Sequence, residues 1–211
     1  MKNSLRSAIV LGATASTLLL SACAPLLLGG AAVGGALVAT DRRTSGTQVE
    51  DQAIELKAGQ RVGNLLGDKG HVNITSYSRQ VLITGEVPTE ADRAAVEKVV
   101  QGIENVRSTV NELAIAGNAS LTSRSNDAIL TSKVKATYVD AKDLQTHAIK
   151  VVTERGVVYL MGRVTEREAA RAADLAAGIS GVQKVVRVFE VVSEAELATG
   201  ATAPASAPKQ P

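Results

Sequence analysis

The segment VLITGEV, at Val81–Val87, recurs 77 residues later as VYLMGRV, at Val158–Val164. Apolar side chains alternate along both copies, which is the two-residue period of a β-strand that turns one face to a core. The sequences on either side of the two copies also correspond, so the chain contains an internal repeat of about 70 residues. A unit of this length is small for a domain but can bury a modest core.

The neighbouring segments give the order of elements in each unit. A shorter alternating strand precedes each copy, HVNITSY in the first unit and AIKVVTE in the second, and the polar turns SYSRQ and ERG predict antiparallel hairpins. A helix that begins at a threonine follows each hairpin, because Thr165 and Glu168 have the spacing of a capping box and Thr89 and Asp92 occupy the same place. The valine-rich segments VRSTVNELAI and VQKVVRVFEVV are the predicted last strands.

A further helix is expected before each hairpin, in EDQAIELKAGQRVGNLL and in AILTSKVKATYV, the latter with Ser125 or Asn126 as its N-cap. The last strand of each unit should run parallel to one hairpin strand, because a helix crosses over between them. The predicted fold class is α+β, with two tandem domains of the order helix, strand, strand, helix, strand. Each domain has two helices on one face of a three-stranded mixed sheet.

These elements set the predicted boundaries. The first domain covers 47–116 and the second covers 124–193, joined by a short polar linker at 117–123. The tail at 194–211 is rich in small residues and proline, which is typical of a disordered end.

The N-terminal 22 residues have the three parts of a secretory signal peptide, with Lys2 and Arg6, an apolar stretch, and small residues before Cys23. The sequence contains one cysteine, and the segment LSAC that ends at it resembles the lipobox of bacterial lipoproteins. The resemblance implies that Cys23 is lipidated and becomes the new N-terminus, where a triacylated residue holds the chain on a membrane. Ala24 follows Cys23, and the absence of aspartate there implies the outer membrane, facing the periplasm.

A second apolar run of seventeen residues extends from Ala24 to Thr40, near the lower limit for a membrane span. It contains Pro25 and four glycines, and each glycine lowers helix propensity by about 1 kcal/mol relative to alanine. We therefore interpret 23–46 as the lipidated cysteine followed by a flexible tether. A transmembrane span is the alternative.

Charge is distributed unevenly between the two domains. Without the signal peptide the chain has 21 basic and 21 acidic residues, but 47–115 has a net charge of −3 and 124–193 a net charge of +3. An anionic membrane surface would attract the second domain, since each basic residue near it contributes roughly 1 kcal/mol. Aromatic residues make up only 2% of the chain and tryptophan is absent, which argues against nucleic-acid binding.

The first helix of the second domain has two different apolar faces at 100° per residue. One stripe should pack on the sheet: Leu130, Val134, Tyr138 and Ala141. A second strip lies on the other side between two lysines: Ile129, Ala136 and Val139, with Lys133 and Lys135. Such a strip is typical of a helix at a membrane interface, and the alternative is a solvated helix with an exposed isoleucine.

The outer face of the second sheet is also apolar, since Val157, Tyr159 and Met161 point away from the helices. A sheet with helices on one side leaves its other face open, so this face should pack against the first domain or against a partner protein.

Neither a catalytic site, a cofactor site nor a metal site is predicted. His71 and His147 stand apart without the spacing of metal ligands, and no second cysteine is present to act as one. No glycine-rich phosphate loop follows a strand in the required context.

The element order, with Gly85 and Gly162 in the second strand of each hairpin, resembles the BON domain over about 47–193. The lipobox, the segment DRRTSGTQVED, the two units and LMGRVTEREA together are similar to outer-membrane lipoproteins with two BON domains. The resemblance implies a non-enzymatic protein that binds anionic phospholipid, phosphatidylglycerol or cardiolipin. It also implies a protein that gathers at division sites and supports outer-membrane integrity.

The same resemblance places the lipid contact on the first helix of the second domain. The candidate lipid-binding residues are Asn126, Ile129, Leu130, Lys133, Lys135, Ala136 and Val139. The alternative function is that of a periplasmic adaptor or chaperone, which would bind outer-membrane assembly components with the open sheet face.

Overall fold

A computed structural model describes residues 41–198 of the chain. The first domain consists of α1 (Ser45–Leu66), β1 (His71–Tyr77), β2 (Gln80–Val87), α2 (Glu90–Gln101), β3 (Ser108–Asn111) and β4 (Ala114–Ile115). The second domain consists of α3 (Leu121–Asp140), β5 (Ile149–Glu154), β6 (Val157–Val164), α4 (Glu166–Ala177), β7 (Lys184–Val191) and α5 (Glu194–Ala198). Short 3₁₀ helices, Gly67–Lys69 and Thr146–Ala148, lead into β1 and β5.

Both sheets are mixed, as predicted. The strand orders are β1-β2-β3 and β5-β6-β7, with antiparallel hairpins and a parallel third strand. The predicted α+β fold of two tandem domains is therefore confirmed. The last strand of the first domain is split, so that β4 also pairs with β2 and this sheet has four strands instead of three. At the break Asn111 Oδ1 accepts a hydrogen bond from the amide of Leu113, which is buried in the core.

Each sheet carries its two longer helices on one face, where an apolar core is buried. The first core joins α1, β2 and α2 through side chains such as Ile54, Ala58, Val81, Ile83, Val96 and Val100. The second joins α3, β6 and α4 through Val134, Tyr138, Val158, Leu160, Ala169 and Ala172. The hydroxyl of Tyr138 donates to the carbonyl of Ala172 at 2.8 Å, which satisfies the one polar atom this ring brings into the core.

The two repeated glycines lie where strands cross closely. A Cβ atom on Gly85, which has φ of 115°, would lie 2.0 Å from the carbonyl oxygen of His71. A Cβ atom on Gly162 would lie 2.3 Å from the carbonyl oxygen of Ala148. A side chain at either position would push the hairpin strands apart, which explains why both units have glycine there.

A buried aspartate of the first helix holds the hairpin turn in each domain. The carboxylate of Asp51 accepts hydrogen bonds from the amides of Ser78 and Arg79 at 2.9 and 2.8 Å. The carboxylate of Asp127 accepts from the amides of Arg155 and Gly156 at 2.9 and 2.8 Å. All four turn residues have positive φ, as a two-residue hairpin turn of type I′ requires. Each aspartate therefore joins its helix to its hairpin.

The helix starts differ from the predictions in α1 and α3. The first helix begins at Ser45, five residues before the predicted segment. The capping box of Thr165 and Glu168 is present, and the hydroxyl of Thr89 accepts from the amide of Asp92 at 3.1 Å, as predicted. The predicted start of α3 after Asn126 is wrong, because the helix begins at Leu121 with Ser120 as its N-cap. The predicted linker 117–123 therefore ends at Ser120, and the first turn of α3 occupies its last residues.

The segment before α1 is attached to the domains. The guanidinium of Arg42 donates to both carboxylate oxygens of Glu168 at 2.8 Å and to the carbonyl of Arg163 at 2.9 Å. Arg43 contacts Asp51 at 2.8 Å and lies 4.1 Å over the ring of Tyr77. The predicted tether at 23–46 therefore reaches the folded part of the chain at Arg42, and α1 begins within it.

Several predictions fall on residues 1–40 and 199–211, which lie outside the described residues. These are the signal peptide, lipidation of Cys23, most of the tether and most of the tail. The tail prediction overlaps the described part only at 194–198, where the short helix α5 forms instead of a disordered end. Among the described helices none has the length and apolar composition needed to cross a membrane.

The outer faces of the two sheets pack against each other. Their side chains form a third apolar cluster, made of Tyr77, Leu82, Tyr159, Met161 and Val188. The expectation that the apolar outer face of the second sheet would pack on the first domain is therefore confirmed. Residues 42–198 belong to one compact unit, within which this cluster joins both domains.

Polar contacts surround the apolar cluster between the sheets. Asn73 donates to the carboxylate of Glu154 at 2.8 Å, and Lys150 donates to that of Glu55 at 2.9 Å. Burial raises the pKa of the Glu154 carboxyl, and the hydrogen bond from Asn73 opposes this rise. These contacts fix the register of one sheet on the other.

The sheet-to-sheet contact gives a stability prediction. Leu82 is fully buried between the sheets, so Leu82→Ala should lower the free energy of unfolding by about 2–5 kcal/mol. Val49 is 66% exposed, so Val49→Ala is the matched control, with an expected change of less than about 0.5 kcal/mol. Urea unfolding at pH 7 measures both variants. Equal stability of the two variants would show that the sheets separate in solution.

The Arg42–Glu168 contact gives a prediction on pH. The hydrogen bond from Arg42 lowers the pKa of the Glu168 carboxyl, with burial opposing and the Thr165 amide adding to the effect. The contact therefore stabilises the fold above about pH 4.3, the value for an unfolded glutamate, and is lost as pH falls through the lower folded-state pKa.

Glu168→Gln should accordingly lower the free energy of unfolding by about 1.5–3 kcal/mol at pH 7, and the difference from wild type should shrink in acid. Urea unfolding at pH 7, 5 and 3 tests this. Glu166→Gln serves as the control, because the Glu166 carboxylate is exposed to solvent. Its Oε1 atom lies 3.8 Å from the guanidinium of Arg187, which is also exposed. If Glu168→Gln remained less stable than wild type by the same free energy down to pH 3, the ionised Glu168 carboxylate would not be the source of the stabilisation.

Candidate functional site

The rotation of α3 is fixed by the side chains that it buries. Leu130, Val134 and Tyr138 are 8%, 0% and 0% exposed and face the second core. Asp127, on the same side, binds the amides of the β5–β6 turn. The opposite side of the helix is consequently turned to solvent.

Large apolar side chains lie on this solvent-facing side. Leu121 is 81% exposed, Ile129 53% and Val139 69%, and the exposed side chains of Ala128 and Ala136 lie between them. We call these five residues the α3 strip. The strip extends from Leu121 to Val139, an axial distance of about 27 Å.

The α3 strip has a lysine on each side. At 100° per residue, Lys133 lies about 40° to one side of Ile129 and Lys135 about 120° to the other. Both lysines are exposed, and among the described residues neither forms an ion pair. Of the two acidic residues of α3, Asp127 is buried against the hairpin and Asp140 is the last residue of the helix. The exposed face therefore carries net positive charge along most of its length.

Polar hydroxyls on α3 are bonded to the helix itself. Ser132 Oγ donates to the carbonyl of Ala128 at 2.9 Å, and Thr137 Oγ1 donates to that of Lys133 at 3.0 Å. Ser125 Oγ donates to the carbonyl of Leu121 at 2.9 Å. Because these donors are satisfied internally, placing the strip in an apolar environment would leave fewer unpaired polar atoms.

A cleft adjoins the N-terminal half of α3. It has a volume of about 850 Å³ and is lined by Asn126, Ile129 and Lys133 on one side, with Glu112, Glu154 and Tyr159 among its other residues. A shallower depression along the helix is lined by Ala128, Ile129, Ser132, Lys133 and Ala136. Ile129 and Lys133 contribute to both surfaces.

The structure brings most of the candidate lipid-binding residues to one exposed surface. Asn126, Ile129, Lys133 and Ala136 lie together, and Lys135 and Val139 lie further around the helix. Leu130 also lines the cleft, but its side chain is only 8% exposed and packs toward the core, so it offers little surface to a membrane. The helical stripe placed it correctly in the core, and its inclusion among the lipid contacts is corrected here.

Leu121 is the residue that sequence reasoning missed. The predicted linker 117–123 includes it, because Ser125 and Asn126 are good N-cap residues and predict a later helix start. The only local signal for the earlier start is that Ser120 and Ser123 have the spacing at which a cap hydroxyl meets the third helical amide. That contact is made at 3.2 Å.

A second surface also exposes apolar residues. On α1, Val49 is 66% exposed, Leu56 74% and Leu65 44%. The first domain has a net charge of −3 over 47–115, however, so an anionic membrane would repel it. Charge therefore distinguishes the exposed helix of the second domain from that of the first.

The surroundings of the two histidines also differ from expectation. His147 is exposed, whereas His71 lies beside Glu86 and Glu154, so the prediction that His71 stands alone is wrong. The three residues are far apart in the sequence, and only the contact between the two sheets brings them together.

Comparison with known proteins gives consistent matches. The family model described as the BON domain matches residues 50–117 and 126–193. The chain is 40% identical over 186 residues to the outer membrane lipoprotein DolP of Haemophilus influenzae, covering 87% of this chain and 94% of that protein. It is 28% identical over 154 residues to a 21 kDa hemolysin of Actinobacillus pleuropneumoniae, covering 72% of this chain and 79% of the relative. It is also 29% identical over 148 residues to the osmotically-inducible protein Y of Escherichia coli, covering 66% of this chain and 72% of that protein.

Proposed function

The chain belongs to the BON-domain family, as an outer-membrane lipoprotein of the DolP family, and we propose that it binds anionic phospholipid through the exposed face of α3. The proposed ligand is a membrane that contains phosphatidylglycerol or cardiolipin. The protein acts without catalysis in this proposal. Acyl chains on Cys23 hold it on the outer membrane, facing the periplasm.

The observation that carries the proposal is the α3 strip between Lys133 and Lys135. Three large apolar side chains on one exposed helix face are unfavourable in water and favourable at the boundary between headgroups and acyl chains. The two lysines can reach phosphate groups at the same depth. The candidate residues Asn126, Ile129, Ala136 and Val139 complete the face that would meet the membrane.

The free energies of membrane binding that α3 and the acyl chains on Cys23 would contribute can be compared. Full burial of Leu121, Ile129 and Val139 would contribute about 1.5–3 kcal/mol each, and partial burial contributes less. The two lysines add roughly 1 kcal/mol each at an anionic surface. Even at full burial this sum is smaller than the contribution of a triacylated residue, in which each of many acyl methylenes contributes about 0.8 kcal/mol. We infer that Cys23 anchors the protein and that α3 sets how the second domain lies on the lipid.

The adaptor or chaperone alternative depends on a sheet face that is not exposed. It relied on an open sheet face, and in the described residues the outer faces of the two sheets cover each other. Such a function would need another surface, such as the exposed side of α1. We therefore favour lipid binding.

The proposal extends to the cell envelope. A protein attached to the outer membrane by an acyl anchor and by a lipid-selective helix would accumulate where anionic lipid is enriched. We propose on this basis, and on the family resemblance, that it supports outer-membrane integrity and is enriched at division sites.

The anchor is tested by Cys23→Ala. This variant cannot be acylated, so the protein should move from the outer-membrane fraction to the soluble periplasmic fraction. Fractionation and intact-mass measurement of the wild-type protein check the result. An unmodified thiol on wild-type protein would contradict lipidation. Retention of a variant shown by intact mass to lack the signal peptide would indicate that residues 24–40 insert.

The helix is tested by Ile129→Glu in the fragment 41–211, which lacks both the anchor and the apolar run. The variant should bind vesicles that contain phosphatidylglycerol at least about tenfold more weakly, because a charge replaces the apolar side chain at the membrane surface. Vesicle sedimentation measures binding, and circular dichroism checks that the fold is kept.

Leu56→Glu is the matched control, since Leu56 is an aliphatic residue on α1 that is 74% exposed, against 53% for Ile129. It should leave vesicle binding unchanged. Unchanged binding by Ile129→Glu would remove α3 from the proposal, and equal losses in both variants would show that any added negative charge weakens binding. If the fragment 41–211 did not sediment with vesicles but still bound a protein partner, the adaptor alternative would be supported.

A further inference from the structure

Three potential metal ligands from two domains meet at one edge of the sheet-to-sheet contact. His71 begins β1, Glu86 lies opposite it on β2 as its direct cross-strand partner, and Glu154 ends β5 of the second domain. One ligand atom from each residue lies within 4.8 Å of the others. His71 Nδ1 is 3.5 Å from Glu86 Oε2. We call these residues the interdomain triad.

The triad is buried and its polar atoms are incompletely paired. Glu86 is 0% exposed and Glu154 is 6% exposed. His71 Nδ1 and Glu86 Oε1 are buried without a hydrogen-bond partner. Each has only an ion-pair contact at 3.5 Å, His71 Nδ1 with Glu86 Oε2 and Glu86 Oε1 with Arg155. A buried polar atom without a hydrogen bond is unfavourable by about 1–3 kcal/mol, so a bound ligand would stabilise both atoms.

The negative charge of the triad would also be stabilised by a bound cation. Two carboxylates face each other at a site sheltered from water, and the nearest fixed positive charge is Arg155, whose guanidinium is 3.5 Å from Glu86 Oε1. The Arg155 side chain is 46% exposed, so water screens part of its charge. One arginine leaves an excess of one negative charge at the site when His71 is neutral. A divalent ion would offset both carboxylates.

We propose that His71, Glu86 and Glu154 bind a divalent transition-metal ion, with Zn²⁺ as the best fit, and that the bound ion joins the two domains. One imidazole nitrogen and two carboxylate oxygens are ligands that zinc accepts, and the imidazole disfavours Mg²⁺ and Ca²⁺. The proposal rests on the fold and on these side chains, and does not depend on the lipid-binding proposal.

The geometry requires only small movements. Zinc bonds of about 2.0–2.2 Å in a tetrahedral site place ligand atoms about 3.4 Å apart. The His71–Glu86 pair is already at 3.5 Å, so Glu154 would have to close the remaining gap. Glu154 also lines the cleft beside α3, which offers the ion a route of entry and leaves one coordination position for water.

Neighbouring groups orient the carboxylates. Asn73 Nδ2 donates to Glu154 Oε2 at 2.8 Å, and the amide of Ala119 donates to Glu86 Oε2 at 3.2 Å. Gly85 allows the backbone of β2 to approach the carbonyl of His71, which brings Glu86 and His71 together. Outer contacts of this kind fix the ligands of metal sites.

The experiment uses the mature chain carrying Cys23→Ala, without an affinity tag, so that no thiol or added histidine competes for metal. After treatment with a chelator, the protein is titrated with zinc sulfate by calorimetry, and thermal unfolding is measured with and without zinc. We expect saturable binding of one ion per chain and a rise in Tm of several degrees, because an ion that binds only the folded state stabilises it.

Glu86→Gln and Glu154→Gln should each weaken zinc binding at least about tenfold, since removal of even an outer contact of a metal site has an effect of that size. Both variants should stay folded without zinc, because each removes a buried charge. His147→Ala, at the other histidine, should bind as the parent does. Arg155→Ala should bind at least as tightly, because it removes the competing cation.

Cobalt chloride gives an independent readout that needs no variant. Co²⁺ in the same site should produce visible absorption bands that zinc abolishes. The proposal is overturned if neither ion binds saturably, if His147→Ala loses binding while the triad variants keep it, or if Mg²⁺ binds as tightly as Zn²⁺.

Discussion

The packing of one sheet's outer face on the other is the constraint on which the rest of the structure depends. Each domain covers only one face of its sheet with helices, and exposing an apolar second face to water would be unfavourable for a domain of about 70 residues. Tyr77 and Leu82 from the first sheet meet Tyr159, Met161 and Val188 from the second. This contact hides the surface that could otherwise bind a partner, and it leaves the outer sides of α1 and α3 as the large apolar features that remain exposed. It also brings Glu154 to His71 and Glu86.

The buried aspartates explain how two domains with different helix faces keep the same fold. Asp51 and Asp127 each sit on the first helix of their domain and accept hydrogen bonds from the two amides of the hairpin turn. Since each carboxylate must point into the turn, the helix cannot rotate about its axis. Residues on the opposite side are then free to change without disturbing the core. In α3 that freedom is used for the apolar strip and its lysines, and in α1 for a more acidic surface.

Local patterns predicted the hairpins, the capping box at Thr165 and the inward stripe of α3, because each of these depends on residues a few positions apart. The start of α3 was missed because several adjacent residues cap a helix equally well. The break between β3 and β4 was missed because it depends on Asn111 binding the amide of Leu113 while β2 holds both strands. The interdomain triad could not be read from spacing at all. Its members belong to three strands, and only the register of one sheet on the other makes them neighbours.

The contact at Arg42 determines which domain the N-terminal segment reaches first. This segment precedes the first domain in sequence, yet Arg42 binds Glu168 at the start of α4 in the second domain. The helices α3 and α4 pack side by side, joined by the hydrogen bond from Tyr138 to Ala172. A chain held to the bilayer upstream of Arg42 would therefore draw the second domain toward the membrane before the first. An anchor and a second contact on the same domain would act at high effective concentration, so binding by α3 would be strengthened without any new contact. The ion pair of Arg42 would thus couple an anchor upstream of it to the cationic domain, against the order in which the two domains occur in the sequence.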